Sequence, residues 1–171
     1  AYHHGEASLA ATIVGMAQKF VGANNANLLE PSGQFGTRIM GGEDAASPRY
    51  IFTRLTHVAR ALYHPDDDAL LDYILEDGQR VEPVHYVPVA PTVLINGASG
   101  IGTGWSTSVP NYNPRDIIAN LRRRIAGEAM VPLQPWFRGF DGQIVPASAD
   151  GTKFRMKGII CRDESDPAVF D

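Results

Sequence analysis

Tyr50 stands in the stretch "SPRYIFTRL" with Arg49 on its left and Pro48 stiffening the chain before it. A phenol oxygen can attack phosphorus, but with a pKa of about 10 it needs cationic neighbours to do so near neutral pH. Arg49 offers the planar guanidinium donors that suit a phosphate, and His4 could approach from a first helix. The structural alternative for Tyr50 is a packed ring whose hydroxyl is hydrogen-bonded.

Other side-chain groupings point to weaker chemistry. His3, His4 and Glu6 in "YHHGE" invite a metal, yet a zinc deaminase would need a later Pro-Cys-x-x-Cys and a helical zinc protease would need histidines four apart. Neither is present, and histidines hydrogen-bonding at a helix start explain the motif better. Asp66, Asp67 and Asp68 could hold a hard cation; capping of a following helix accounts for them more simply. Glycines 97, 100, 102 and 104 in "VLINGASGIGTGWS" suggest a dinucleotide fingerprint. That motif needs a helix at its last glycine, whereas "WSTSVPNYNP" brings two prolines and no helical period. Tight-turn glycines are the better reading. Arg122, Arg123 and Arg124 fall in the last turns of a helix, where cations favour the dipole and a solvated basic face suffices.

The elements that must position these residues follow from patterning. Residues 6–21 place Leu9, Ile13, Met16 and Phe20 on one side at helical spacing, which predicts an amphipathic helix ending near Gly22. Residues 22–50 are dense in Gly, Asn, Ser and Pro and predict a long loop, a length that in a compact domain is usually functional or disordered. A second helix is expected over residues 50–64, closed by Pro65, and a third short one in "PDDDALLDYIL". Three prolines among β-branched residues then predict extended chain feeding a buried strand over residues 92–95. A domain boundary is placed at residues 89–91. Asn113 as N-cap, Pro114 in the first turn and Gly127 beyond the end bracket a further helix with Ile117, Ile118, Leu121 and Ile125 on its apolar face. The tail shows strand-like pieces, "GQIVP" and "KFRMKGIIC", around an Asp150-Gly151 turn.

The totals bound the possibilities. Fifteen Lys and Arg against nineteen Asp and Glu give a net charge of −4, which on its face argues against a polyanionic partner. The distribution softens that: up to about residue 60 the charges nearly balance, and the acids concentrate in "HPDDDALLDYILEDGQRVE". No apolar run approaches the roughly 20 residues of a membrane span. The N-terminus has no initiator methionine and no signal-peptide pattern, so a fragment of a longer chain is expected. The single cysteine, Cys161, excludes an internal disulfide framework and a cysteine-rich zinc site, and fits a reducing compartment.

Three stretches, taken together and in order, carry a resemblance. "AYHHGEASLAATIVGMAQKFVGANNANLLEPSGQFGTR", "GGEDAASPRYIFTRL" and "QRVEPVHYVPVAPTVLINGASGIGTGWSTSVPNYNPRDII" closely resemble the DNA breakage-reunion region of eukaryotic type II DNA topoisomerases, nearly collinearly to about residue 145. Bacterial gyrase A relatives share a looser version. The resemblance implies an α+β fold: residues 1–90 as the later part of a winged-helix domain with a small β wing, and residues 91–171 as the start of a mixed α/β tower domain. It implies that Tyr50 is the nucleophile forming a 5′-phosphotyrosyl link, that Arg49 stabilises the transition state, and that His4 reaches the scissile phosphate. Ile101 matches an isoleucine that wedges between base pairs and bends the duplex. Further DNA contacts are implied for His3, Arg38 and Gln34.

Glu43 stands where that family usually has lysine, which would weaken a phosphate contact there. The family implies a homodimeric, ATP-dependent, nuclear enzyme (or one of a DNA-containing organelle) acting on double-stranded DNA, with Mg2+ and ATP bound outside these residues and no metal ligand within them. Two other functions compete: a non-catalytic DNA-binding and bending module of the same fold, and a nucleotide-binding oxidoreductase, which would require a helix directly after Gly104.

Overall fold

The computed structural model describes residues 2–161. Among these, four helices and six strands follow one another in a mixed α+β arrangement: α1 (Glu6–Ala17), α2 (His57–Leu62), β1 (Tyr73–Glu76), β2 (Gln79–Pro83), α3 (Thr92–Ile95), β3 (Ala98–Gly102), β4 (Trp105–Val109), α4 (Pro114–Ile125), β5 (Gln143–Pro146) and β6 (Phe154–Lys157). These strands pair only as three antiparallel two-stranded ribbons, β1–β2, β3–β4 and β5–β6.

The first helix is shorter than its hydrophobic period suggests. It stops at Ala17 because Gln18 turns extended and spends its side chain elsewhere, donating to the carbonyls of Phe35 (2.9 Å) and Gly42 (3.1 Å). Asn24 then donates to the carbonyls of Gly15 and Gln18, meeting helix-end acceptors that would otherwise be orphaned. The second helix begins at His57 rather than at residue 50. Antiparallel bridges Ser32↔Phe52 and Leu29↔Leu55 hold the intervening chain extended, and Thr56 caps the helix by accepting from the Ala59 amide at 3.1 Å.

The predicted third helix is a 3-10 turn, Pro65–Leu70, capped by the His64 side chain. It gives way to the β1–β2 hairpin, whose turn residues Asp77 (φ 51°) and Gly78 (φ 78°) both have positive φ, as a two-residue loop of this hand requires. Arg80 lies over the Tyr73 ring at 3.8 Å.

Residues 92–95, expected as a strand, form a single helical turn instead. Pro91 starts it, Ile95 donates back to the Pro91 carbonyl, and Asn96 to that of Thr92. Tertiary burial outweighs β-propensity here: Ile95 is 2% exposed, within a core of Ala26, Leu62, Ala90, Ile95 and Ile117. Helix α4 matches expectation at both ends, with Asn113 accepting from the Arg115 amide and Gly127 at φ 76°. Its apolar face is narrower than predicted: Ile117 is buried, whereas Ile118 and Ile125 are exposed. The β5–β6 hairpin and its Asp150 turn are as read, the Asp150 carboxylate accepting from Ser148, Thr152 and the Thr152 amide. The rest of the tail, residues 162–171, lies outside the described residues.

Candidate nucleic-acid interface

Pro48–Tyr50 forms one 3-10 turn, closed by the Tyr50 amide donating to Ser47 at 2.9 Å. Proline in the first position fixes the approach, and the Tyr50 ring projects into solvent at 71% exposure. The half-buried alternative is thereby removed. Arg49, the adjacent residue, is also exposed.

The turn is seated on α1. Pro48 lines cavities shared with Ala7, Ala10, Ala11 and Val14 of that helix, a face of small residues that lets the turn come close. His3 and His4 precede the same helix, exposed, with the His4 ring edge-on to Tyr2 at 5.4 Å. The structure therefore hangs His4 and Tyr50 on one helix. Among the described residues, no hydrogen bond or ion pair directly joins the side chains of Tyr50, Arg49 and His4.

Gln34 and Arg38 occupy a closed loop before the turn. Its neck is a backbone bond from the Ala46 amide to the Gln34 carbonyl, 2.9 Å, so Gln34 fixes the chain four residues ahead of Tyr50. Inside, Asp44 accepts from the Thr37 amide (2.7 Å) and hydroxyl (2.8 Å). The Thr37 amide foremost, with its hydroxyl adding to it, holds the Asp44 carboxyl below the usual aspartate range. At Gly36, φ 103°, an added Cβ would stand 2.6 Å from the Gly42 backbone, so only glycine lets the strands of this loop cross. Arg38 and Glu43 sit exposed on the loop, Ile39 at its tip 94% exposed.

The glycine-rich stretch is the β3–β4 hairpin. Strand β4 begins directly after Gly104, where the oxidoreductase reading required a helix. In the antiparallel register Ile101 lies opposite Ser106 and Gly102 opposite Trp105. Ile101 is 94% exposed and Trp105 84%. Cross-strand partners share a face, so Ile101 shares one with Ser99, Ser106 and Ser108, and Trp105 projects from the other. From Glu82 to Arg115 the chain carries no Asp, Glu, Lys or Arg between them. An exposed ribbon with two free edges and no charge is an aggregation hazard unless something covers it.

What sequence reasoning missed is the seam at the hairpin's base, built from asparagines that patterning assigned to loops and caps. Asn96 pairs with both backbone groups of Ala26, each at 2.9 Å. Asn111 donates to the Ala23 carbonyl at 3.0 Å. Asn25 donates to Tyr112 and Trp136 carbonyls and accepts from the Arg138 amide. Asn25 and Asn111 are 6% and 8% exposed. The only available signal was their number, in "GANNANL", "LINGAS" and "PNYNP".

An extended α+β chain with a solvent-exposed Arg-Tyr turn and an uncharged apolar hairpin belongs to a recognisable class. The family model for the DNA gyrase/topoisomerase IV A-type polypeptide matches residues 1–165, and the chain belongs to that family. Within it the similarity is to eukaryotic proteins: DNA topoisomerase 2 of Arabidopsis thaliana is 67% identical over 161 residues, and a probable DNA topoisomerase 2 of Dictyostelium discoideum is 56% identical over 162. Each alignment covers 93% of this chain and 11% of the relative, so the chain spans about a tenth of their length. A crystal structure of the Plasmodium falciparum topoisomerase II DNA-binding, cleavage and re-ligation domain superposes with a TM-score of 0.88 at 50% identity, over 96% of this chain and 22% of that one.

Proposed function

We propose that this chain is part of the DNA cleavage and religation core of an ATP-dependent type II DNA topoisomerase. The observation that carries the reading is the 0.88 superposition at 50% identity onto a domain described by DNA binding, cleavage and re-ligation, combined with a Tyr50 that stands free to meet a phosphate.

In this reading the Tyr50 oxygen attacks a DNA phosphorus. A bond forms between that oxygen and phosphorus, the bond to the 3′ oxygen breaks, the phenol proton is lost and the 3′ oxygen gains one. One phosphoester replaces another, so the reverse attack by the 3′-hydroxyl reseals the strand without energy input. Arg49 donates to the oxygens on which charge builds in the transition state, and His4, carried by the helix that seats the turn, contacts the scissile phosphate. His3, Arg38 and Gln34 line the approach to the backbone, and Ile101 is the wedge that unstacks a base step.

Residues 1–90 correspond to the later part of the winged-helix domain, with β1–β2 as its wing, and residues 91–171 to the start of the tower. Homodimerisation, a nuclear location and the use of ATP belong to the whole protein. Magnesium, which would add Lewis-acid stabilisation of the phosphate, is assigned to residues outside this chain. Among the described residues no three His, Cys, Asp or Glu side chains gather into a metal site.

The test uses the full-length parent with magnesium and supercoiled DNA, trapped with denaturant. Protein covalently attached to DNA 5′ ends is expected from the wild type and none from Tyr50→Phe. An adduct that persists in the Phe variant would remove Tyr50 as nucleophile.

A further inference from the structure

The nucleophile turn and the wedge hairpin are about 50 residues apart in sequence, yet one strap of backbone, residues 23–32, is bonded to the supports of both. At one end Ser32 and Phe52 exchange backbone bonds (3.1 and 3.0 Å) two residues beyond Tyr50. The Glu30 amide donates to the Arg54 carbonyl at 2.8 Å, and the Glu30 carboxylate pairs with the Arg54 guanidinium. The Thr56 amide donates to Leu28, and its hydroxyl to Asn27. At the other end Ala26 is held on both its amide and its carbonyl by Asn96, and Ala23 by Asn111. Asn96 lies two residues before β3 and Asn111 two residues after β4. Between them Gly97, φ 71°, packs so tightly that a Cβ would stand 2.5 Å from the Asn111 Oδ1 and 2.7 Å from the Val109 carbonyl.

We propose that Asn96, with Asn111, is a positioning residue that sets the distance between the wedge and the nucleophile, and so selects which phosphate Tyr50 reaches. This rests on the cleavage chemistry proposed above. A hairpin that inserts at one base step while the tyrosine attacks at another needs a fixed offset, because near-attack geometry tolerates little displacement. A hydrophobic contact between the two supports would slide. A paired amide holding both backbone groups of Ala26 does not, since any shift leaves polar groups unpaired. The choice of asparagine follows: its amide presents one donor and one acceptor side by side, matching a backbone amide and carbonyl.

The molecule supplies its own control. Asn120, 9% exposed, pairs with both backbone groups of Val131 at 2.7 and 2.8 Å, a similar clasp that lies off the strap. In the full-length parent with magnesium and an end-labelled duplex, Asn96→Ala is expected to bend the duplex as wild type does, by fluorescence transfer between its ends. Its covalent complex is expected to fall roughly 10- to 100-fold at the preferred phosphate, with breaks appearing at neighbouring phosphates. Asn120→Ala, with a thermal midpoint lowered to a similar extent, is expected to keep the wild-type break pattern. Asn96→Asp keeps the acceptor for the Ala26 amide and loses the donor, so its pattern should fall between wild type and Asn96→Ala.

Two outcomes overturn the proposal: Asn96→Ala breaking DNA at the wild-type phosphates with the wild-type yield, or Asn120→Ala scattering the breaks equally. If Asn96→Ala does not fold, Asn96→Asp decides on the same criteria. Should Tyr50→Phe still form the adduct, the chemistry itself fails; should Tyr50→Phe abolish it while Asn96→Ala cleaves normally, only the positioning role fails.

Discussion

Asp44 shows what a single carboxylate does for the loop that leads to the nucleophile. Its pKa is lowered by the Thr37 amide and hydroxyl, so the folded state prefers the ionised form. The stabilisation is therefore fully present above the ordinary aspartate value of about 3.9 and is lost as pH falls through the lower folded value. Amide exchange at Thr37 should stay slow down to that ordinary range and accelerate below it, while Asp44→Ala should exchange quickly at every pH. Slow exchange in the Ala variant would show that the carboxylate does not hold the loop. The chemistry-bearing residues were legible at this scale because Arg49 and Tyr50 are adjacent and proline-led, and exposure of both agrees with that reading. The asparagines were not, since a side chain that mimics a backbone leaves the same local mark as one that merely favours turns.

At the scale of elements, legibility depended on whether a signal was local. Helix α4 was readable because cap, proline and terminal glycine all lie within its own sequence. The β1–β2 hairpin carried an equally local mark, Asp77-Gly78 between strand-forming residues, and was overlooked because the aspartates before it suggested a helix. The extended run before α2 had no local mark at all; its form comes from pairing with residues 29–32, a contact no window of sequence contains. Thr56 joins these two kinds of information, capping α2 and donating to Asn27 on the strap. Thr56→Ala should cost about 1–2 kcal/mol in denaturant unfolding, and Thr56→Ser should recover most of it. Equal stability of the Ala and wild-type proteins would mean that α2 does not depend on this cap.

For the whole molecule, the accessible surface is the telling quantity. The chain exposes 12811 Å2, where a self-contained protein of this length is expected to expose about 8,200 Å2. Exposed Ile39, Phe52, Leu70, Ile101 and Trp105, each above 70%, account for part of the excess. The isolated 171-residue chain should accordingly bind a hydrophobic dye and melt without a sharp transition, and should not relax supercoiled DNA. A cooperative melt with no dye binding would show that it is self-sufficient.

The uncharged hairpin has a consequence for ionic strength. A contact made by phosphate-binding cations releases counterions, and its strength falls steeply with salt. A ribbon without a charge releases none, so its share of the affinity should be nearly indifferent to salt. In the parent protein Ile101→Ala should weaken binding of a duplex by the same factor at every salt concentration, leaving the slope of log affinity against log salt unchanged, whereas Arg38→Ala should flatten that slope by about one unit. Grip and insertion would then be separable with sodium chloride alone.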